Sequence, residues 1–506
     1  WNCWEDKDMV DVYNLMDVFL LLTCIHPDMD VQTSQGPKPI SKVEVGDKVL
    51  TSAGVYRDVL NVIPNRWKGE ILKIKADGLP ELKVTPNHRI YRVKCSGPSN
   101  KKKALDERLI VKEEAETLKK YDYLLYPIPR TDETVRTLDT AQFVKLGKNQ
   151  TGKTFPHPRV HHSPSKLELD YDLGLLCGFY LSEGVANVDG LTFCFNSKEQ
   201  DYILNLQRIL LKKFSTVTRI NNFDRHRTTL TATGAQLGRL LIETFGKLAE
   251  GKRLPDWIFN VPNDFRRGII EGYWRGDGTF SKGVKNDSCF EAQTVSKSLA
   301  WQLFNLLIAE GFKPTLAMQK RNSDVWKIRI NGAQGFGAFI GISQPEPKVH
   351  VSRIFRDNKF VFYPIAKIAK EHYEGQVYDL TVDKEANYVC NFLVKNTGEG
   401  FGIPIIEALS CEVPCVVTNY ATTNELLIEN GQCGEAVRVA AEMVGGFTVD
   451  RGIADVNDAA LKLERLYADE NLRKQYGTVG RNKVLSQYSW DVVMPQWKRI
   501  FDKMLE

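Results

Sequence analysis

The sequence predicts a multi-domain chain: an all-β unit in two pieces, an α+β unit inserted between them, and an α/β segment behind. Three observations predict it. The chain has 506 residues, beyond the roughly 250–300 at which a single core stops growing. Its hydrophobic period switches from strand-and-turn stretches to helices near residue 168 and back near 360. Between those points a helix–sheet–helix pattern occurs twice, the mark of an internal duplication. A composition of 42% hydrophobic and 26% charged residues belongs to folded proteins and excludes wholesale disorder. The longest apolar run, Val18 to Leu22, is far short of the roughly 20 residues that span a bilayer. With no signal-peptide pattern either, the expectation is a cytoplasmic monomer without a membrane span. The chain starts on Trp1 inside a helical pattern, which reads as a piece of a longer product.

From about 24 to 135, alternating Val, Ile and Leu are punctuated by Gly, Pro and Asp, as in VQTSQGPKPISKVEVGDKVLTSAG. The polar KNQTGKTFPHPRVHHSPSK that follows reads as a linker. Its GKT at 152–154 lacks the upstream Gly of a phosphate loop. Within 165–350, LDYDLGLLCGFYLSEG and DFRRGIIEGYWRGDG are both helical and end on an acid followed by Gly. Each precedes strand-like stretches and a second amphipathic helix, QDYILNLQRILLKKF or SLAWQLFNLLIAEGF. Residues 351–396 return to β pattern, ending in GQVYDLTVDKEANYVCNFLVKN. From 397 to 506 a Gly-rich loop, the helix IPIIEALS and the buried strand PCVVTNY lead into Leu-, Arg- and Lys-rich helices.

Charge is uneven along the chain. Residues 1–23 and 397–506 together hold 12 basic and 21 acidic side chains, and residues 24–396 hold 56 and 42. A middle of +14 between flanks of −9 assigns any polyanion partner to the middle. The ten cysteines include no CxxC pair, which argues against a disulfide framework or a zinc site. Most are expected to be small buried hydrophobes.

Cys24 in CIHPDMDVQT, the TPNH at 85–88, Asp379 in VYDLTV and the junction Asn396–Thr397 together resemble the splicing blocks of an intein. The resemblance implies a Hint-type all-β splicing domain formed by 24–135 and 351–396, which excises 24–396 and ligates Thr23 to Thr397 without a cofactor. A backbone amide is inert, so a nucleophile beside the carbonyl at high effective molarity is what cleavage requires. The family gives that role to Cys24. It gives Thr85 and His88 the holding and protonation of the departing nitrogen, which an imidazole titrating near neutrality can perform. Asp379 orients later steps, the Thr397 hydroxyl attacks the thioester, and Asn396 cyclises. The pattern is incomplete: Lys395 and Ala386 stand where His is usual, and the last strand lacks its Gly. Slow splicing with branched or N-terminally cleaved product is therefore expected. A splicing-impaired precursor acting only as a DNA-binding endonuclease is the alternative. A hedgehog-type module fits less well, because a host motif continues after Thr397.

LLCGFYLSEG (175–184) and IIEGYWRGDG (269–278) resemble the helices of LAGLIDADG homing endonucleases. The resemblance implies a duplicated α+β nuclease whose Glu183 and Asp277 bind Mg2+ against a phosphate of double-stranded DNA. The DNA would be the host gene's uninterrupted insertion site. Lys252 in KRLPDW is the candidate for the catalytic lysine that the resemblance implies; a phosphate-contacting or solvated lysine fits the position equally.

Joined, the flanks read DVYNLMDVFLLLT–TGEGFGIPIIEALSCEVPC and resemble the C-terminal domain of a family 4 (GT-B) glycosyltransferase. Residues 1–23 and 397–506 would then be the two extein pieces of one α/β domain. The resemblance implies a nucleotide-sugar donor held by Glu399, Glu407 and the turn of Gly400 and Gly402, where backbone N–H groups meet anionic or hydroxyl ligands. Only 133 residues remain after excision of 373, so no transferase activity is expected from them alone.

Overall fold

The computed structural model describes residues 24–95, 97, 109–143, 146–148, 154–156, 164–222, 226–282, 288–320, 323–331, 335–341, 353–385, 387–395, 403–419, 423–428, 431–445 and 449–495. Asn396, Thr397, Glu399, Gly400 and Gly402 lie outside them, as do Ala386 and the DVFLLL stretch. Cys24–Val382 with Asn387–Lys395 form one compact unit, and the remaining residues, chiefly 403–495, a second.

In the first unit, strands from both ends of the segment share one 12-stranded sheet. They are β1 (Asp30–Thr33), β2 (Gly36–Pro39), β3 (Lys48–Leu50), β4 (Tyr56–Ala76), β5 (Leu82–Val84), β6 (Arg89–Val93), β7 (Ile110–Glu114) and β8 (Tyr123–Pro127). A helical insert, described below, contributes β9 to β16. The late strands of the large sheet are then β17 (Phe355–Arg356), β18 (Phe360–Val382), β19 (Asn387–Cys390) and β20 (Phe392–Lys395). Their order is β17-β18-β8-β6-β20-β19-β1-β3-β4-β5, with β2 on β1 and β7 on β6. The long β18 also pairs with β4 from Ile365↔Ala76 to Val382↔Val59, so the path returns on itself. Pro64 sits within β4 opposite Tyr378. Tyr378 spends its own N–H and C=O on Ile25, so Pro64 occupies a pair that carries no ladder bond and its missing N–H breaks no rung. The final hairpin turns on Asn391, whose φ of 56° is the left-handed conformation that Asn tolerates. Asn391 thus makes the turn without the Gly usual in that strand.

The insert runs through α1 (Tyr171–Glu183), α2 (Gln200–Phe214), α3 (Ala235–Phe245), α4 (Asn263–Asp277) and α5 (Lys297–Ala309). Asp170 caps α1 by accepting the Leu173 N–H at 3.0 Å, and Ser296 caps α5 by accepting that of Leu299 at 3.2 Å. After α1 comes the antiparallel sheet of β9 (Gly184–Asn187), β10 (Gly190–Asn196), β11 (Thr218–Asn222) and β12 (Arg227–Thr233). After α4 comes that of β13 (Gly278–Lys282), β14 (Ser288–Thr294), β15 (Thr315–Lys320) and β16 (Asp324–Asn331). The two sheets have the same order, first-second-fourth-third strand.

Helices α1 and α4 pack backbone to backbone. A Cβ on Gly178 would stand 2.3 Å from the Ile269 carbonyl oxygen, and one on Gly272 2.5 Å from that of Leu175. Only glycine permits this approach, and it brings the helix ends together.

The second unit holds α6 (Ile403–Ser410), parallel strands β21 (Cys415–Thr418) and β22 (Gly434–Val437), and α7 (Val456–Ala468) and α8 (Glu470–Gln487). Ala408, Leu409, Cys415, Leu427 and Val484 are in its core. All nine cysteines among the described residues are free thiols. No helix among them is long and apolar enough to cross a membrane.

Candidate active sites

Two sites emerge within the first unit. At the first, Cys24 precedes Ile25, a single bridging residue wedged between β5 and β18. Ile25 bridges Val84 on one side and Tyr378 on the other, and the His26 N–H donates to the Lys83 carbonyl at 3.1 Å. This stitching immobilises Cys24, which is completely buried. Thr85 then clamps it on both polar groups. The Cys24 N–H donates to Thr85 Oγ1 at 2.9 Å. The Cys24 carbonyl accepts from the Thr85 N–H at 3.0 Å and from its hydroxyl at 3.2 Å. His88 is buried at the far end of the same turn, its N–H donating to the Thr85 carbonyl at 3.1 Å. Residues 115 and 116 lock that turn by donating to the carbonyls of His88 and Pro86, each at 2.9 Å.

The Cys24 thiol is pushed up to about 12, chiefly by burial and further by the charge of Asp379, while an Asn65 hydrogen bond opposes both. Asp379 is buried, and its Oδ1 accepts from the Tyr388 hydroxyl at 2.8 Å and from the Leu380 N–H at 2.8 Å. The chain's late strands enter the same neighbourhood: Val31 of β1 faces Cys390, and Val394 of β20 faces Ile90, two residues beyond His88. Lys395, the last residue described there, pairs with Asn387. The structure therefore brings Cys24, Thr85, His88 and Asp379 together. The motifs did not disclose two further contacts, Asn65 on the thiol and Tyr388 on Asp379. Neither carries a sequence signal, because each depends on register between strands distant in the chain.

At the second site, α1 and α4 end on Glu183 and Asp277. A Cβ on Gly276 would stand 3.1 Å from Glu183 Cγ, so the two termini adjoin. Burial, then the charge of Asp277, raises the Glu183 carboxyl to about 7. Burial also raises Asp277, with Lys252 opposing. Lys252 is buried, its Nζ 3.4 Å from the Ser182 carbonyl and 5.4 Å from the Tyr180 ring centroid. Burial lowers its pKa against the pull of Asp277 and Glu183. Its position excludes a freely solvated lysine. Among the described residues no three His, Cys, Asp or Glu side chains cluster at metal-binding spacing. Two carboxylates that burial holds toward the protonated form beside a buried lysine nevertheless suit a divalent cation whose remaining ligands are water and phosphate oxygens.

In the second unit Glu407 lies on α6 and is partly buried, its carbonyl accepting from the Ser410 hydroxyl at 2.6 Å.

A β-rich domain whose first and last strands meet around a buried cysteine, with a helical insert between them, is the class this geometry defines. The family follows from comparison. Residues 28–396 match the intein splicing domain, and the chain belongs to that family. Residues 384–483 match the glycosyl transferases group 1 family. The ATP-dependent DNA helicase Hel308 of Thermococcus kodakarensis is 27% identical over 458 residues, 83% of this chain and 40% of the helicase. The chain spans less than half the length of the curated relatives it matches. Among solved structures, a mesophilic variant of the homing endonuclease I-DmoI aligns with TM-score 0.27 and 12% identity, over 34% of this chain and 94% of that one. The gp41-1 intein aligns with TM-score 0.16 and 25% identity, over 21% and 68%.

Proposed function

We propose that residues 24–396 excise themselves and join Thr23 to Thr397, that the insert is a metal-dependent, site-specific DNA endonuclease, and that the host is a nucleotide-sugar glycosyltransferase. The observation that carries the first part is the Thr85 clamp on both polar groups of a buried Cys24, within a chain of the intein family. In this reading the thiol adds to the Thr23 carbonyl and loses its proton. The Thr23–Cys24 C–N bond breaks, and the departing nitrogen, held by Thr85, takes a proton from His88. The Thr397 hydroxyl then displaces the Cys24 thiol from the acyl group. The Asn396 side-chain amide nitrogen attacks the Asn396 backbone carbonyl, the Asn396–Thr397 C–N bond breaks to free the Thr397 amine, and an O-to-N shift restores a peptide bond. A thiol held mostly protonated and a lysine at position 395 both make the process slow.

The adjoining Glu183 and Asp277, with Lys252 beside them, support the nuclease. Recurrence of one helix-and-sheet unit on either side of the α1–α4 pair supports an internal duplication. Glu183 and Asp277 would hold Mg2+, which when bound supplies the charge that keeps both ionised and acidifies a coordinated water. Lys252 stabilises negative charge beside them. The +14 of residues 24–396 attracts duplex DNA through its phosphates. The target would be the host coding sequence without the insert.

The match of 384–483 supports the host assignment. Glu399, Gly400, Gly402 and Glu407 would meet the donor, and the spliced 133 residues would remain inactive without an acceptor-binding half. Domain limits of 24–135, 165–350 and 351–396 belong to the same proposal.

Intact mass of the expressed chain over time tests the central claim. Species of 133 and 373 residues should appear and should vanish in Cys24→Ala. A single 506-residue species, unchanged by that substitution, refutes splicing.

A further inference from the structure

We infer that Asn65 is a further catalytic residue of the splicing reaction, its side-chain amide donating to the Cys24 sulfur and steadying the thiolate that begins it. This rests on the splicing reading above. The contact is direct: Asn65 Nδ2 lies 3.2 Å from Cys24 Sγ, across 41 residues of sequence.

Its geometry is built rather than incidental. Asn65 pairs with Val377 on β18, two residues from Asp379, and its neighbour Pro64 faces Tyr378. Tyr378 in turn holds Ile25 through two backbone bonds of 2.8 and 2.9 Å. One stretch of the β4–β18 ribbon therefore fixes both the amide donor and the segment that carries the thiol. Asn65 also lines, with Pro64, Arg66, Gly375 and Gln376, a cleft of ≈ 530 Å³. The amide thus stands between the buried sulfur and open space, where a smaller side chain fits without strain.

The chemistry requires such a donor. Sulfur attacks as thiolate, and burial and the charge of Asp379 both disfavour negative charge there. The Asn65 hydrogen bond acts in the opposite sense. In the acyl shift the S–H proton leaves, an S–C bond forms, the Thr23–Cys24 C–N bond breaks and nitrogen gains a proton. Asn65 is unchanged throughout, so atoms and charge balance without it being consumed.

The test uses the full chain with Asn396→Ala and Thr397→Ala, which stops the reaction after the first step. Cleavage at Thr23–Cys24 by added dithiothreitol is followed by intact mass, and Cys24 alkylation by iodoacetamide is followed against pH by peptide mass. Asn65→Ala should slow cleavage about 10- to 100-fold, the range for a hydrogen bond to a charged group, and move the alkylation profile to higher pH. Asn65→Asp keeps the size but sets an acceptor and a charge against sulfur, and should slow both further. If Asn65→Ala matches the parent in cleavage and alkylation while Cys24→Ala abolishes cleavage, the role of Asn65 is overturned and splicing stands. If the parent cleaves no faster than Cys24→Ala, the splicing reading falls and Asn65 with it.

Discussion

Replacing Thr85 by Val keeps the shape and removes the hydroxyl. The Cys24 carbonyl retains its 3.0 Å bond from the Thr85 N–H, so the group left without its partner is the Cys24 N–H, now 2.9 Å from the hydroxyl. A buried donor stripped of its acceptor costs about 1–3 kcal/mol. If Thr85 acts equally on the ground state, this cost appears only as lost stability and the cleavage rate is unchanged. If it holds the nitrogen as the C–N bond breaks, the same energy enters the barrier and slows cleavage roughly 5- to 150-fold. Dithiothreitol-induced cleavage measured by intact mass, beside urea unfolding of the same proteins, separates the two. Slowing in Thr85→Val with near-parental cleavage in Thr85→Ser, which keeps the hydroxyl, is the expected result. A Val variant destabilised but equally fast, or a Ser variant as slow as Val, would refute the reasoning.

Gly178→Ala sets a methyl group 2.3 Å from the Ile269 carbonyl oxygen. Overpacking of this kind costs about 1–3 kcal/mol, and by spreading α1 from α4 it should abolish DNA cleavage on a plasmid assay while dithiothreitol-induced cleavage at Cys24 persists. Glu183 titrates near 7 when folded and near 4.5 when free. Between those values the folded state binds the extra proton, so this group's contribution to metal-free stability is fully present below about pH 4.5 and is lost as pH rises through about 7. Thermal scans should show Mg2+ stabilising the protein more at pH 8 than at pH 5.5, and nuclease activity rising across that interval; no difference between the two pH values would count against the paired-acid site. Lys395→His should shorten the life of the branched species seen by mass, whereas an unchanged species distribution would clear Lys395 of blame for slow release.

Local motifs made Thr85, His88 and the helix-terminal acids legible, because a single turn or a single helix fixes their geometry. Asn65 and Tyr388 were illegible because each reaches its partner through strand register. Neither contact follows from residue type at a position: Asn65 meets sulfur because β4 pairs with β18 in one register and not its neighbour.

Helix α5 serves two parts of the first unit at once. Its sequence reads as a hydrophobic helix of the insert, and its residues from Leu299 to Ile308 are buried all round, more than a helix covering one sheet requires. The other side faces the splicing domain. Trp301 and Phe304 pack on Tyr126 with ring centroids 6.5 and 5.3 Å apart. Asn305 accepts from the Tyr126 hydroxyl at 2.6 Å, and Lys297 pairs with Asp30 at 2.5 Å. One hydrophobic core runs from Ile25 through the insert to Val394. Ser296, the cap of α5, also donates to the Lys252 carbonyl at 2.6 Å. A single helix thereby braces β1 of the splicing sheet and the lysine beside Glu183 and Asp277. Boundaries drawn from hydrophobic period follow the order of the chain, whereas packing joins what they separate, so cutting out the insert would strip the splicing sheet of part of its own core.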